Sequence, residues 1–520
     1  MNRDRDIVIV GGGHNALVAA TYLAQAGKSV TVLERLDTVG GAAVSADAFA
    51  GVEARLSRYS YLVSLLPARI IRELGLDLHL LRRRYSSYTP EPGTARGLLV
   101  DNSDSVATAA SFTSLGASAD AAAWDSFYSG TAKLAKSVFP SVCEPLLTQT
   151  EARRALNDDA LWSAFVEHPL GETIESTFTN DLVRGVVLTD GLIGTFADAH
   201  DPSLAANRCF LYHVIGNGTG DWDVPVGGMG AVTTALARSA RRAGAELITG
   251  AEVTAVDPEG QVFYLHSGTK HNISAGTILA GVAPFVLDRL VHGTRGVPSA
   301  RPEGAQVKVN LMLSRLPKLR DSAVAPHAAF GGTFHINELY SQLQSAYSNA
   351  VAGEIPDPLP AEIYCHSLTD PSILSPELRE SGAHTLTVFA LHTPDRLVTP
   401  EHNDQLRTQL ESSVLASLNS VLAEPIEPLF LEDADGRRCV ETKTTLDLEH
   451  SLGMPGGNIF HGPLAWPFAD DDAPLATPAE RWGVSTAWHR VLLCGSGAQR
   501  GGAVSGLGGH NAAMAVLENE

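Results

Sequence analysis

Apolar and polar positions in the first 34 residues alternate between short continuous runs and one helical stretch. Asp6 to Val10 is mostly apolar and long enough for one buried parallel strand. Leu17 to Gln25 carries helical spacing and stops at Gly27, and Ser29 to Leu33 predicts a second strand. From 71 to 221 this strand–helix rhythm lapses, and Ala121–Val138, Ala152–Glu167 and Thr173–Leu188 predict helices. The rhythm returns with a helix over Ala231–Ala243 and strands at Glu246–Ile248, Glu252–Val256 and near Gly276–Gly281. Strict alternation over 305–313 puts Val307, Val309, Leu311 and Leu313 on one face of a strand, with Lys308 and Asn310 on the other. Such a strand is expected to be half-solvated. Further on, Ala361–His366 and His384–Leu391 look strand-like. Asn403–Leu422 predicts an amphipathic helix through Leu406, Leu410, Val414, Leu418 and Val421, packed on a sheet. Val491–Cys494 predicts a last strand and Ser505–Leu517 a closing helix.

Between the first strand and helix lies Gly11-Gly12-Gly13-His14-Asn15-Ala16, the spacing Gly-x-Gly-x-x-Ala of a dinucleotide fingerprint. Glycines let backbone approach a pyrophosphate, and the helix N-terminus offers aligned N–H donors. Glu34 follows at about 20 residues, where an acidic side chain meets the ribose hydroxyls of an adenine dinucleotide. Strand, turn, helix, strand and acid in this order are specific, but they do not distinguish NAD from FAD.

Composition removes several classes. The 520-residue chain allows more than one domain. Its net charge of −20 argues against nucleic acid and against electrostatic attachment to anionic lipid. No apolar run reaches bilayer length and no secretory h-region follows the N-terminal charges, so the expectation is cytoplasmic, with peripheral membrane contact left open. Cys143, Cys209, Cys365, Cys439 and Cys494 are scattered, with no C-x-x-C and no metal-ligand spacing. Neither a redox disulfide nor a metal is expected.

A second glycine pair, Gly40-Gly41, follows Glu34-Arg35 and is trailed by Ala42. Near the C-terminus Gly495-Ser496-Gly497 and Gly501-Gly502-Ala503-Val504 follow a strand, with no ribose acid left for them to serve. Gly227-Gly228-Met229-Gly230 lacks both a preceding strand and a following acid, so a second, NAD(P)-binding Rossmann unit is missing.

Glu34-Arg35 with Val39-Gly40-Gly41 resembles the amine oxidase and phytoene desaturase superfamily of FAD enzymes. The stretch from Ser57 to Leu66 resembles one branch of it, pyridine nucleotide-disulfide oxidoreductase domain-containing protein 2 and its bacterial relatives. The chain departs from the superfamily at Ala42, where arginine is frequent, and at Gln499-Arg500, where proline is frequent. The resemblance implies FAD held by Gly11, Gly13, His14, Asn15, Ala16, Glu34, Arg35, Gly40, Gly41 and Ala42. It adds the backbone of Val253 at the adenine, and Gly495, Ser496, Gly502, Ala503 and Val504 at the flavin. It also implies that Lys308 matches a lysine reaching flavin N5 through water. His461 and His213 are the other candidates for polar catalytic roles. The ordinary alternatives are a surface lysine and hydrogen-bonded rim histidines.

The expected fold is α/β: a Rossmann-like FAD-binding domain assembled from discontinuous segments, 1–70, 222–300 and 440–520, plus an α+β substrate-binding or cap domain from 71–221 and 301–439. The expected function is FAD-dependent dehydrogenation of an apolar, isoprenoid- or polyene-like small molecule, with oxygen, a quinone or another carrier as electron acceptor. Amine oxidation, redox-neutral isomerisation and a flavin-binding regulatory role stay open. A true disulfide reductase is disfavoured by the cysteine pattern.

Overall fold

The computed structural model describes residues 4–293 and 300–519; residues 294–299, within the expected 222–300 segment, lie outside the described residues. Two seven-stranded sheets organise the chain. In the first, Val491–Leu493, Thr269–Ala280, Arg5–Val10, Val30–Leu33 and Glu246–Ile248 lie side by side, all parallel. The continuous apolar run at Ile7–Val10 has a physical reason. Ile7 and Ile9 join the core under helices His14–Gln25, Met229–Ala243 and Leu507–Glu518. Val8 and Val10 join a second core on the opposite face. That face is covered by a meander in which Ala251–Asp257 and Gln261–His266 run antiparallel into the long strand Thr269–Ala280.

The glycine turns are set by space. Gly11 has φ +89°, a conformation that favours glycine, and a Cβ on Gly12 would meet Glu34 Oε2 at 3.2 Å. Gly509 of the last helix touches the first helix so closely that a Cβ there would lie 1.8 Å from the Asn15 carbonyl oxygen.

The second sheet is mixed. Its order is Val440–Lys443, Val307–Leu313, His384–Ala390, Ala361–Tyr364, Thr333–Ile336, Tyr85–Pro90 and Gly97–Asp101, with one parallel pair between Thr333–Ile336 and Tyr85–Pro90. Helix Asn403–Val421 packs on it as expected, through Leu410, Val414, Leu418 and Val421 against Val307, Val309, Leu311 and Val388.

The expected half-solvated strand is corrected. Every residue of Val307–Leu313 is buried, because strands flank it on both sides and its polar face is roofed by other parts of the chain. Residues 118–214 form a helical block around Trp124, Phe127, Trp162, Phe165, Phe178 and Phe210. Within it the predicted 152–167 helix breaks after Leu156, where Asn157 adopts a left-handed cap. The predicted 173–188 helix breaks at Asn180, whose side chain caps a new helix, Asp181–Thr189. The segment 209–213, read as a lead into a turn, is instead the end of helix Ala205–Val214.

Candidate functional site

A single cavity of about 720 Å³ runs from the first glycine turn to the polar face of the second sheet. At one end Glu34 is buried, and its carboxylate accepts from the N–H of Gly12 (2.7 Å) and of Leu36 (2.8 Å). The Gly40 N–H donates to the Gly12 carbonyl, which lays the second glycine pair against the first. A Cβ built on Gly13 would meet nothing within 4 Å, so the helix N-terminus opens onto free space. The room a pyrophosphate needs is present, and so is the acid a ribose needs.

Midway, the first helix reaches across to the C-terminal loop. His14 Nε2 lies 3.0 Å from the Ala503 carbonyl, and the Asn15 side-chain amide donates to the Gly501 carbonyl. Burial holds His14 and His461 down at about 4, so both imidazoles are neutral at physiological pH. The loop itself is pinned from behind. The buried Arg500 guanidinium donates to the carbonyls of Ser141, Glu144 and Trp482, and Gln499 donates to those of Trp466 and Phe468. These bonds give the loop the rigidity that proline would supply elsewhere. The closing helix begins at Leu507, with Gly506 as its N-cap, two residues later than expected.

The far end is floored by a cross-strand row on the second sheet. Lys308 pairs with Phe389, Phe389 with Glu362 and Glu362 with His335, and all four face the cavity. The Tyr364 hydroxyl donates to Glu362, and Thr89 Oγ1 lies 2.9 Å from His335 Nδ1. Lys308 is 2% exposed, and its Nζ has no hydrogen-bond partner among the described residues. Burial holds it well below the ordinary lysine range. Burial raises Glu362 to about 8 and also raises its neighbour Glu338, so both favour the protonated form. Arg83 and Asp190 face the same space.

Of the candidate FAD-binding and catalytic residues, all but Gly40 and Gly502 line this cavity. Gly40 supports Gly13 from behind, and Gly502 packs on Leu464 and Phe460. Arg35 is exposed at the rim, where it donates to the Ser451 carbonyl. His213 donates from Nδ1 to the Cys209 carbonyl within its own helix, with its ring on Trp222. Tyr61, Arg83, Asp190, His335, Glu362 and Tyr364 were missed. One signal was available: Glu362 and His335 interrupt short apolar runs, as buried functional carboxylates and imidazoles do.

Among the described residues no group of His, Cys, Asp or Glu could hold a metal ion, and no helix is long and apolar enough to cross a membrane. All five cysteines are free and buried.

Residues 9–68 match the family model described as an NAD(P)-binding Rossmann-like domain. Rat pyridine nucleotide-disulfide oxidoreductase domain-containing protein 2 is 29% identical over 99% of this chain and 93% of its own. Cyclohexylamine oxidase from Brevibacterium oxydans is 16% identical and superposes along 99% of both chains with a TM-score of 0.55. This likeness shows a common fold: a Rossmann-like domain with a parallel sheet beside a separate mixed sheet. Protein Rv0897c of Mycobacterium tuberculosis is 56% identical over 99% of this chain and 97% of its own. The chain therefore belongs to the same family as Rv0897c, with a Rossmann-like segment at its N-terminus and the rat protein as a more distant relative.

Proposed function

We propose that this protein is an FAD-dependent oxidoreductase whose cofactor lies along the cavity, adenine end at Glu34 and reacting end at Ala503 and Val504. The observation that carries the reading is the continuity of the cavity from the Gly13 opening, past the C-terminal loop, to Lys308 and Glu362. In its favour, a dinucleotide with a nicotinamide alone would leave the pinned loop at 495–504 without a role. Bound FAD would supply the acceptor for a hydride taken from a substrate C–H bond.

The chain's own residues then have distinct tasks. Gly11, Gly12 and Gly13 leave room for phosphates, and Glu34 orients the ribose while tied to two backbone N–H groups. Arg500 and Gln499 fix the loop at the reacting end. Lys308, Glu362 and Tyr364 are the groups able to hold or pass a proton, since an unpaired buried amine and a carboxyl poised near neutrality suit that work. The aromatic and aliphatic walls of Trp124, Tyr128, Val186, Ile193 and Trp222 exclude water.

Desaturation of a largely apolar, isoprenoid-like molecule fits those walls, and we retain it as the finer reading. The rat relative's name mentions disulfide chemistry, but no cysteine lines this cavity and burial raises Cys143 to about 11 and Cys209 to about 12. A cytoplasmic setting and a diffusible electron acceptor accompany the proposal. The test is direct: purified protein should be yellow and release FAD on denaturation. Anaerobic mixing with a panel of isoprenoids and amines should bleach it with one class. A colourless protein that ignores added FAD would sink the proposal.

A further inference from the structure

The inner end of the cavity combines apolar walls with the Arg83 guanidinium, whose hydrogen-bond partners among the described residues are both uncharged. Arg83 Nε donates to the Trp222 carbonyl (3.3 Å) and Nη1 to Thr333 Oγ1 (3.1 Å). Both partners are neutral. Among the described residues no carboxylate forms an ion pair with Arg83, although Arg82 and Arg84 on either side are both paired, to Asp221 and Asp101.

We propose that the substrate carries a single carboxylate, bound by Arg83, on an otherwise apolar body. This rests on reading the inner end of the cavity as the substrate chamber. The counter-argument is that Asp190 and Glu362 face the same space and could serve a cationic substrate instead. Two facts weigh against it. Glu362 already accepts the Tyr364 hydroxyl, and burial drives both acids toward their neutral, protonated forms. A carboxyl group can shed its charge in this way, whereas a guanidinium keeps its proton in proteins. The Arg83 guanidinium keeps its charge at any physiological pH, and a planar carboxylate matches its donor fork. The apolar walls around it then receive the chain, so the substrate class is an amphiphilic organic acid.

The experiment uses FAD-loaded protein and three matched probes, octanoate, octylamine and octanol, titrated at neutral pH by calorimetry. Octanoate should bind about tenfold or more tightly than the other two, the scale of one charge-assisted pair. Arg83→Met should bring octanoate down to the octanol level, and Arg83→Lys should keep part of the preference. Equal or tighter binding of octylamine or octanol overturns the proposal. So does octanoate affinity unchanged in Arg83→Met, or no octanoate binding at all. FAD content is measured first and separately. Protein without FAD defeats the cofactor reading, while the octanoate titration still decides the role of Arg83.

Discussion

Lys308 Nζ sits 4.1 Å from the centre of the Tyr61 ring. Tyr61 follows the glycine-pair segment of the first half of the site, and Lys308 belongs to the second sheet, so the contact seals the two together. Tyr61 also packs on Tyr364, with ring centroids 4.6 Å apart. The amine is therefore enclosed by aromatic surface and faces the cavity without a hydrogen-bond partner.

Lys308→Met should leave FAD bound but slow flavin reduction or reoxidation, measured by stopped-flow absorbance. It should also raise the melting temperature at neutral pH. The unfolded chain binds this proton more tightly than the folded chain, so Lys308 subtracts stability, and the deficit shrinks as pH climbs toward the ordinary lysine range. The gap between variant and parent should close along the same pH axis. Wild-type flavin rates in the variant would return Lys308 to a packing role.

Glu34→Ala removes the acceptor for two backbone N–H groups, Gly12 and Leu36, at a buried position. Leaving such donors unsatisfied costs about 1–3 kcal/mol each. Apo protein should melt earlier, and FAD affinity should fall about tenfold or more, read by equilibrium dialysis. Unchanged affinity would remove Glu34 from the ribose role.

The first half of the site was legible because its signals are local. Gly11 to Glu34 holds strand, turn, helix and acid within one βαβ unit, and its patterns fall where the elements form. Lys308 was also visible, but its surroundings were not. Alternation in 307–313 separates polar from apolar faces without saying whether the polar face meets water or a cavity. Here it meets the cavity, because residues from 61, 83, 190 and 362 roof and extend it. The row Lys308, Phe389, Glu362, His335 is assembled from four strands, and strand order is not written in any one of them. Strands Tyr85–Pro90 and Gly97–Asp101 were missed for a similar reason: they lie in a stretch dominated by helices and find their partner near residue 333.

Arg500→Met should separate loop rigidity from direct cofactor contact. The arginine itself does not line the cavity, yet it satisfies three carbonyls, that of Trp482 buried and those of Ser141 and Glu144 partly so. Removing those charge-assisted bonds should cost on the order of 3 kcal/mol. FAD release should quicken as well, because Ala503 and Val504 lie on the same loop. Thermal melts with and without FAD check both effects. A variant that loses stability but keeps its FAD dissociation rate would confine Arg500 to folding.

Gly509→Ala tests the joint between the first and last helices. The added methyl would lie 1.8 Å from the Asn15 carbonyl oxygen, so one helix must move. Overpacking of this kind costs about 1–3 kcal/mol. Asn15 also holds Gly501, so the shift should reach the loop and weaken FAD retention. Urea melts and the FAD content of the purified variant read the two consequences. A fully stable variant with full FAD content would show that this contact relaxes without cost.

Glu362 makes a signed prediction about pH. Its carboxyl is raised to about 8 by burial, against about 4.3 when unfolded. Between those values the folded chain holds a proton that the unfolded chain has lost. The stability tied to this group is therefore fully present below about pH 4.3 and is lost as pH rises through about 8. Glu338, buried beside it and raised as well, adds in the same direction, so the observed titration belongs to the pair. Glu362→Gln keeps the shape and removes one titrating group. Its melting temperature should fall less than the parent's between pH 5 and about 9, because the amide has no proton to lose. Differential scanning calorimetry across that range gives the comparison. Parallel curves for the two proteins would mean that Glu362 is already ionised in the folded chain, with Arg83 or Lys308 as its counter-ion.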